Sequence, residues 1–588
     1  MLGRHTRPIA IFTALAAVLL APAALVQAQG VVVMQDIETA IEAAQRYLLA
    51  QQNKQNGTWK YSYLKGQMPH MGETAWALFA LLESGRRAEE DDIKKGIEAL
   101  AAFKTNNLYV RSVRIMVLSA AGGAQESSPY ALPLKRDLDW LLKGASRMGA
   151  WGYEGAERIG DNSCSQFALL ALWETERAYS AAGRAGEVIP PTAIAAVQQA
   201  WLRRQQKDGG WKYSGSPTAE QPSTLTMTTA GLASLYICQD FLANNIGPYR
   251  YQRQVDQGWD FVPTKLKEDY TDNGYLAFCL QRIGMASGRK YIGDMDWYKI
   301  GISRLIKPDP RGNRYRGQWG HVTRAAFELI FLSRARILLA MNKLQYGEDT
   351  GWDYHSRDIP RFTEYMRRNF ERRMRWQIVK ITEDADALRD APILMVAGTK
   401  PLAFSQEDWA KLREYALRGG MLVFVPVMNN KAYSESAKKG LTELFAPQRE
   451  LSGSHYELKA LDQDHPVYVG YNTIDKGPMR VPAWGVSDGT RLIALVLERD
   501  IAASWQRFAV DRGKLDFQMG ANIFRYAVGD NESLTTALPV FRAPLREHRR
   551  TVRVGWLRHG GHWYTQPFAL NYLSKKLEVE NYIRIEPT

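Results

Sequence analysis

The stretch Gln205-Gln206-Lys207-Asp208-Gly209-Gly210-Trp211-Lys212-Tyr213-Ser214 decides how the front half of the chain is built, because that half keeps rewriting it. Gln51 to Ser62 reads QQNKQNGTWKYS, Gly144 to Gly155 reads GASRMGAWGYEG, and Arg311 to Val322 reads RGNRYRGQWGHV. A weaker copy, QRQVDQGWDFVP, covers Gln252 to Pro263 and keeps only Gly258-Trp259. A turn recurring at this spacing implies one supersecondary unit stacked several times. The glycine permits a tight turn, and the indole can wedge between successive units if its N–H finds a partner.

The flanking text supports this. An Ala/Leu-rich helix follows each copy: Glu73 to Gly85, Ser163 to Thr175, Thr226 to Cys238, Asn273 to Gly284 and His321 to Ser333. These are apolar nearly all round, as expected of helices buried on most sides. Their partners, such as Asp92 to Phe103 and Thr192 to Arg204, carry charge on one face and belong outside. The pair Asp92 to Phe103 and Val110 to Ala121 lacks the tryptophan but fills the gap between Trp59 and Trp151. Helix pairs at about 37–85, 91–123, 136–183, 194–245, 252–288 and 296–342 are expected to close into an all-α (α/α)6 toroid over 36–342. Closure removes the exposed ends that an open solenoid must cap.

The Gln-rich lead-in, the Gly-x-Trp and the Ala/Leu inner helix resemble the repeats of squalene–hopene cyclases and protein prenyltransferase β-subunits, both α/α toroids. The chemistry of those families does not carry over. The cyclase acid lies in an Asp-x-Asp-Asp motif, and Asp294-Met295-Asp296-Trp297 is one carboxylate short. The prenyltransferase zinc site needs Asp-x-Cys, which is absent, as is the Cys-Gly-Glu-Gln thioester of the complement-like toroids. Glu73, Asp161, Asp272 and His321 stand near inner-helix starts and are the acid/base candidates for a ring cavity. Cys164, Asp272 and His321 form the corresponding metal candidate; as caps and core residues they need no ligand. No cofactor is implied.

From Asn342 the pattern changes to alternating strands and helices: Lys343 to Tyr346, a basic helix Pro360 to Arg375, then Trp376 to Ile381 and Pro392 to Ala397. A helix Ser405 to Leu417 follows, opened by a Ser405/Asp408 capping box and stopped by Gly419-Gly420. Met421 to Val427 and Leu492 to Leu497 read as buried strands and Phe517 to Val528 as a closing helix. This order predicts an α/β doubly wound open sheet over 343–530. The segment resembles an uncharacterised bacterial domain distantly like the class I glutamine-amidotransferase fold. Amidotransfer needs a nucleophilic cysteine, and none follows Cys279. Leu451-Ser452-Gly453-Ser454-His455 reads as a loop and Asp464-His465-Pro466 as a turn. After a basic linker at 531–552, residues 553–588 repeat the opening of this domain: Leu557 to Tyr564 follows Leu344 to Tyr354, and Tyr582 to Ile585 follows Gln377 to Lys380. A partial second copy is expected there, which makes His559 and His562 loop residues.

Residues 1–28 read as an export signal: Arg4 and Arg7, the apolar run Ile9 to Leu20, and Val26-Gln27-Ala28 as a cleavage site. An uncleaved N-terminal anchor is the rival reading. Export places the protein in the periplasm or outside the cell. The three cysteines Cys164, Cys238 and Cys279 sit in apolar helical patterns and are expected to be buried free thiols. The formal charge is +14, much of it in Arg367 to Trp376 and Arg542 to Arg553. These patches suit either a solvated helix face and a basic linker or an anionic envelope surface. No nucleic-acid motif is present, and no nucleic-acid partner is expected. Two enzyme-like folds without their families' catalytic groups favour an exported, non-catalytic binding or scaffold protein with an unknown ligand in the toroid cavity. The alternatives are an enzyme acting there on a polyisoprenoid or polysaccharide, and an envelope module binding anionic surfaces.

Overall fold

A computed structural model describes residues 34–60, 71–144, 149–156, 159–242, 249–307, 320–370, 372–452, 454–474, 477, 480–528, 550–555, 557, 573, 577 and 583–587. The export segment, the Arg311 to Trp319 part of the repeat, His559 and His562 lie outside them.

Among the described residues twelve α-helices build the front half. The outer set is α1 (Met34–Ala50), α3 (Asp91–Ala102), α5 (Ala131–Gly144), α7 (Pro191–Arg204), α9 (Gln252–Lys265) and α11 (Trp297–Leu305). The inner set is α2 (Gly72–Glu83), α4 (Leu108–Ala120), α6 (Asn162–Ala181), α8 (Leu225–Leu242), α10 (Gly274–Ser287) and α12 (His321–Ser333). Each inner helix packs on the next, and α12 packs back on α2, so the α-helical ring is closed. Two short antiparallel ladders interrupt it, β1 (Trp151–Gly152) with β2 (Gly155–Ala156) and β3 (Tyr291–Ile292) with β4 (Met295–Asp296).

The repeat does three separate jobs at each turn. The indole N–H donates to the last turns of its own outer helix: Trp59 to Leu48 O at 2.6 Å, Trp151 to Leu141 O at 2.9 Å and Trp211 to Trp201 O at 2.9 Å. The backbone N–H of the same tryptophan donates to a hydroxyl in the following inner helix: Thr74, Ser165 or Thr228. The glycine two residues earlier has φ of +73° at Gly57, +70° at Gly149 and +82° at Gly209, and meets the next outer helix. A Cβ on Gly209 would lie 2.2 Å from Gln257 O of α9, and one on Gly149 2.3 Å from Ala196 of α7. Only glycine fits both the left-handed backbone and the contact. The lead-in glutamine completes the stitch. Gln52 Nε2 donates to Gly57 O and to Asp92 O; Gln205 Nε2 donates to Gly209 O and to Gln254 O.

The weak copy at 252–263 departs from this pattern. It lies inside α9, so Gly258-Trp259 is helical rather than a turn. Gly258 there leaves room for Leu232 and Trp211, and the Trp259 indole donates to Tyr236 Oη at 2.9 Å.

The back half is a seven-stranded sheet in the order β6-β5-β7-β8-β11-β10-β9. The strands are β5 (Leu338–Gln345), β6 (Met374–Lys380), β7 (Ile393–Gly398), β8 (Met421–Pro426), β9 (Leu458–Ala460), β10 (Ala483–Ser487) and β11 (Leu492–Leu497). The first five positions are parallel, with Asn342 opposite Gln377 and Leu394, and Val423 opposite Met395 and Leu495; β10 and β9 are antiparallel. Alternating residues feed two cores. One holds α13 (Asp358–Phe370), α18 (Ala502–Arg507) and α19 (Lys514–Val528), together with the short α17 (Pro466–Val469). The other holds α14 (Ala385–Leu388), α15 (Gln406–Leu417) and α16 (Lys431–Ser452). The result is a three-layer α/β/α domain. The Ser405/Asp408 capping box opens α15 as expected. Strand β5 begins at Leu338 and so runs through the 342/343 division drawn from the sequence.

The ring covers one edge of this sheet. Ile378 N donates to Gly288 O at 2.7 Å, and Arg289 bridges Ile378 in parallel register, so β6 presents no open edge at that point. The basic stretch Arg367 to Trp376 also works within the chain. Arg373 holds Glu83 at 2.7 and 2.8 Å, Arg367 and Arg368 both hold Glu364, and Arg375 donates to Ile337 O. In the tail, β12 (Arg550–Val554) and β13 (Ile583–Pro587) pair in parallel, with Val552 opposite Ile585. The first two strands of the main sheet pair in the same sense.

Candidate functional site

The inner-helix starts hold their candidates in structural roles. Asp161 is the N-cap of α6, accepting from Cys164 N at 3.0 Å and from the Ser163 hydroxyl, which in turn accepts from Tyr109 at 2.6 Å. Asp272 is 69% exposed and pairs with Arg304 of outer helix α11 at 3.3 Å, so it serves the rim. Glu73 is buried in the first turn of α2, close enough to Tyr47 to join burial in raising that phenol's pKa. His321 opens α12 and is half-buried. Cys164 is buried. Among the described residues no three His, Cys, Asp or Glu side chains group as metal ligands, so Cys164, Asp272 and His321 do not assemble a metal site. Asp296 caps α11, and His465 caps α17 by accepting Val467 N at its Nδ1.

The ring axis is filled. Trp76 of α2 reaches Phe167 of α6 at 5.6 Å, Phe278 of α10 at 5.3 Å and Phe327 of α12 at 4.7 Å between ring centroids. All four side chains are buried, and Tyr275 packs above them against Phe167 and Phe327. Below, Arg282 lies over Phe278 and pairs with Glu174 at 3.1 Å. The expected ligand cavity on the axis is replaced at this level by close-packed aromatic core.

A cleft of about 570 Å³ lies between the ring and the sheet domain. One wall is α9 with the end of α8, contributing Tyr236, Asp256, Trp259 and Asp260. A second is the β3–β4 hairpin with β6, contributing Arg289, Tyr291 and Lys380. The third is the loop leaving β5, contributing Glu348, Asp349, Trp352 and Asp353. Strands β6 and β7 flank β5 on opposite sides, so this loop leaves the sheet at its topological switch point, where open α/β sheets bind ligands. Domain interfaces are likewise favoured ligand positions.

Buried charge fixes the loop. Lys343 of β5 is 1% exposed, and its Nζ donates to Asp353 at 3.0 Å, to Asp358 at 2.9 Å and to His355 O at 2.8 Å. Burial alone would lower the Lys343 pKa, but Asp358 and Asp353 outweigh it and hold the amine charged. His355 Nε2 meets Asp500 Oδ2 at 2.9 Å, and Asp500 also accepts Met428 N at 2.7 Å. Met428 and Asn429 follow β8 with φ of +56° and +55°; Asn429 Oδ1 accepts Asp500 N, which secures this left-handed corner. At the loop tip Asp349 accepts from Gly351 N at 3.0 Å and from Lys400 at 2.7 Å.

The aromatic rings of the cleft are held as surfaces and donors rather than as reactive groups. Arg289 lies 4.5 Å over Trp259. Tyr249 accepts from Gln198 at 2.8 Å. Burial raises the pKa of Tyr236, Tyr249 and Tyr291, so all three stay protonated. None of these cleft residues stands out from sequence as a site, and Trp259 reads there only as a repeat tryptophan. One cue was readable: Lys343 is a charge inside the apolar run Leu338 to Leu344.

Residues 340–528 match a protein family described only as a domain of unknown function, DUF4159. No curated protein matches the chain. Among solved structures, the type II terpene cyclase MstE from Scytonema is similar at 12% identity, covering 51% of this chain and 99% of that one with a TM-score of 0.34. The GH76A α-1,6-mannanase from Salegentibacter sp. HEL1_6 is similar at 9% identity, covering 51% and 99% with a TM-score of 0.36. The ring itself is established by its own helix packing.

Proposed function

We propose that this protein is directed at a polysaccharide and binds it in the cleft between the ring and the sheet domain. The observation that carries the reading is the lining: half-buried aromatic faces at Trp352, Tyr249 and Tyr291 beside amides and carboxylates at Gln239, Gln252, Asp256 and Asp260. Sugars present apolar C–H faces and hydroxyl edges at once. A concave surface mixing aromatic planes with acceptors suits them, because each ring keeps one apolar side and one polar neighbour. A polyisoprenoid needs an apolar enclosure instead, and the ring axis is occupied by Trp76, Phe167, Phe278 and Phe327.

Carboxylates on facing walls favour a second step, hydrolysis of the bound chain. Asp256 and Asp260 lie on α9, and Glu348 and Asp353 on the opposite loop. Glycoside hydrolysis uses two carboxyl groups flanking the scissile bond. This favours an enzyme over a passive scaffold. Export, as the N-terminal residues suggest, would bring the cleft to extracellular or envelope polysaccharide.

Titration calorimetry with soluble oligosaccharides tests binding. Wild-type protein is expected to bind, and Trp352→Ala to lose at least about tenfold in affinity while keeping its melting temperature. Mass spectrometry of the same mixtures tests cleavage: shortened products that vanish in Asp260→Asn or Asp353→Asn support the hydrolytic step. Affinity unchanged by Trp352→Ala would overturn the placement of the site.

A further inference from the structure

The charge of the cleft differs from that of the molecule around it. The chain carries +14, yet the charges facing this space are mostly acidic once their partners are counted. Among the described residues, Arg357 is held by Asp240 and Ala286 O. Lys290 is held by Asp390 and Ala387 O. Arg289 is spread over the Trp259 face. Among the described residues that leaves Lys380 as the cleft cation with no carboxylate partner, set against three carboxylates.

Those carboxylates stand on two walls. Asp256 and Asp260 occupy successive turns of α9, and Glu348 lies on the β5 loop opposite. Asp256 accepts only a neutral amide, from Gln252 at 2.9 Å, and no described cation pairs with Asp260 or Glu348. Trp352, Tyr249 and Tyr291 add electron-rich ring faces to the same space. Carboxylates and aromatic faces together form the environment in which an ammonium group is better held than in water. At the cleft floor Arg357 is 3% exposed and its charge is already engaged by Asp240, so it does not oppose a cation in the cleft.

We infer that the glycan taken by the cleft carries free amino groups: a glucosamine-type chain, bound through its ammonium groups at Asp256, Asp260 and Glu348 and through its sugar faces at Trp352, Tyr249 and Tyr291. This inference rests on the cleft being a glycan site and adds the charge of the ligand.

The test is calorimetry on the full chain with three tetrasaccharides, one of glucosamine, one of glucose and one of galacturonate, at low and moderate salt. The glucosamine chain is expected to bind at least about tenfold tighter than the glucose chain at low salt, with that advantage shrinking as salt rises. Asp260→Asn and Glu348→Gln are exposed changes expected to fold normally, and each should weaken binding of the glucosamine chain severalfold more than it weakens binding of the glucose chain. Equal affinity for the glucosamine and glucose chains, or tightest binding of the galacturonate chain, would overturn the inference and leave the glycan reading standing. Binding of none of the three would sink the glycan reading itself.

Discussion

Trp211 makes its contribution through two hydrogen bonds and a close-packed ring. Its indole N–H satisfies Trp201 O inside the protein, and its backbone N–H is satisfied by Thr228. Trp211→Phe keeps the aromatic bulk but leaves that buried carbonyl without its donor, a cost of about 1–3 kcal/mol. Chemical denaturation should show that loss, whereas Tyr213→Ala, at a side chain 38% exposed, should leave the midpoint nearly unchanged. Equal effects from the two substitutions would mean the indole bond carries no special weight. The thiols give a second residue-scale prediction. Burial pushes the Cys279 thiol up to about 11 and the Cys238 thiol higher still, and all three cysteines are buried and free. Native protein at pH 8 should therefore resist a thiol reagent, and all three cysteines should react once it is unfolded. Rapid labelling of the native state would contradict the packing.

At the scale of elements, the Gly-x-Trp turn was legible because repetition exposes a shared constraint, and each of Gly57, Gly149 and Gly209 meets the next outer helix. The role of Gln52 and Gln205 was not legible, since their acceptors lie 40 and 49 residues away in α3 and α9. Gly258-Trp259 was misread because the dipeptide is the same in a helix as in a turn; what differs is its surroundings. The 22-residue helix α16 went unread because its buried residues, Tyr433, Ala437, Leu441 and Phe445, are scattered through a polar text. Beyond the buried charge at Lys343, the cleft could not be read. Its walls come from α8–α9, the β3–β4 hairpin, β6 and the β5 loop, which only folding brings together.

The docking of ring to sheet has a pH dependence whose sign follows from Glu83. Burial alone would raise the pKa of this carboxyl above its ordinary 4.5, but Arg373, aided by Arg282 and Arg177, outweighs that and lowers it. A lowered folded value contributes stability that is full above the unfolded pKa and is lost as pH falls through the folded one. Scanning calorimetry should therefore give one cooperative transition at pH 7, separating toward two only as pH falls below the ordinary carboxyl value and Glu83 protonates. Arg373→Ala should bring the separation to higher pH. A single transition throughout, in both proteins, would show that this contact does not couple the two parts.

At the scale of the whole molecule, the two halves share work that neither performs alone. The ring spends its axis on an aromatic core and covers the β6 edge through Gly288 and Arg289. The sheet domain supplies the loop that completes the cleft, braced from beneath by Lys343 and its two aspartates. Among the described residues no helix is long and apolar enough to cross a membrane. The proposed ligand site lies in the cleft between the halves rather than on the ring axis. Hydrogen exchange with and without a glucosamine oligosaccharide tests it most directly. Protection is predicted in 252–263, 289–293 and 347–353, with little change around Tyr109 and Asp161 at the mouth of the ring. Protection confined to the ring mouth, with those three segments unchanged, would contradict it.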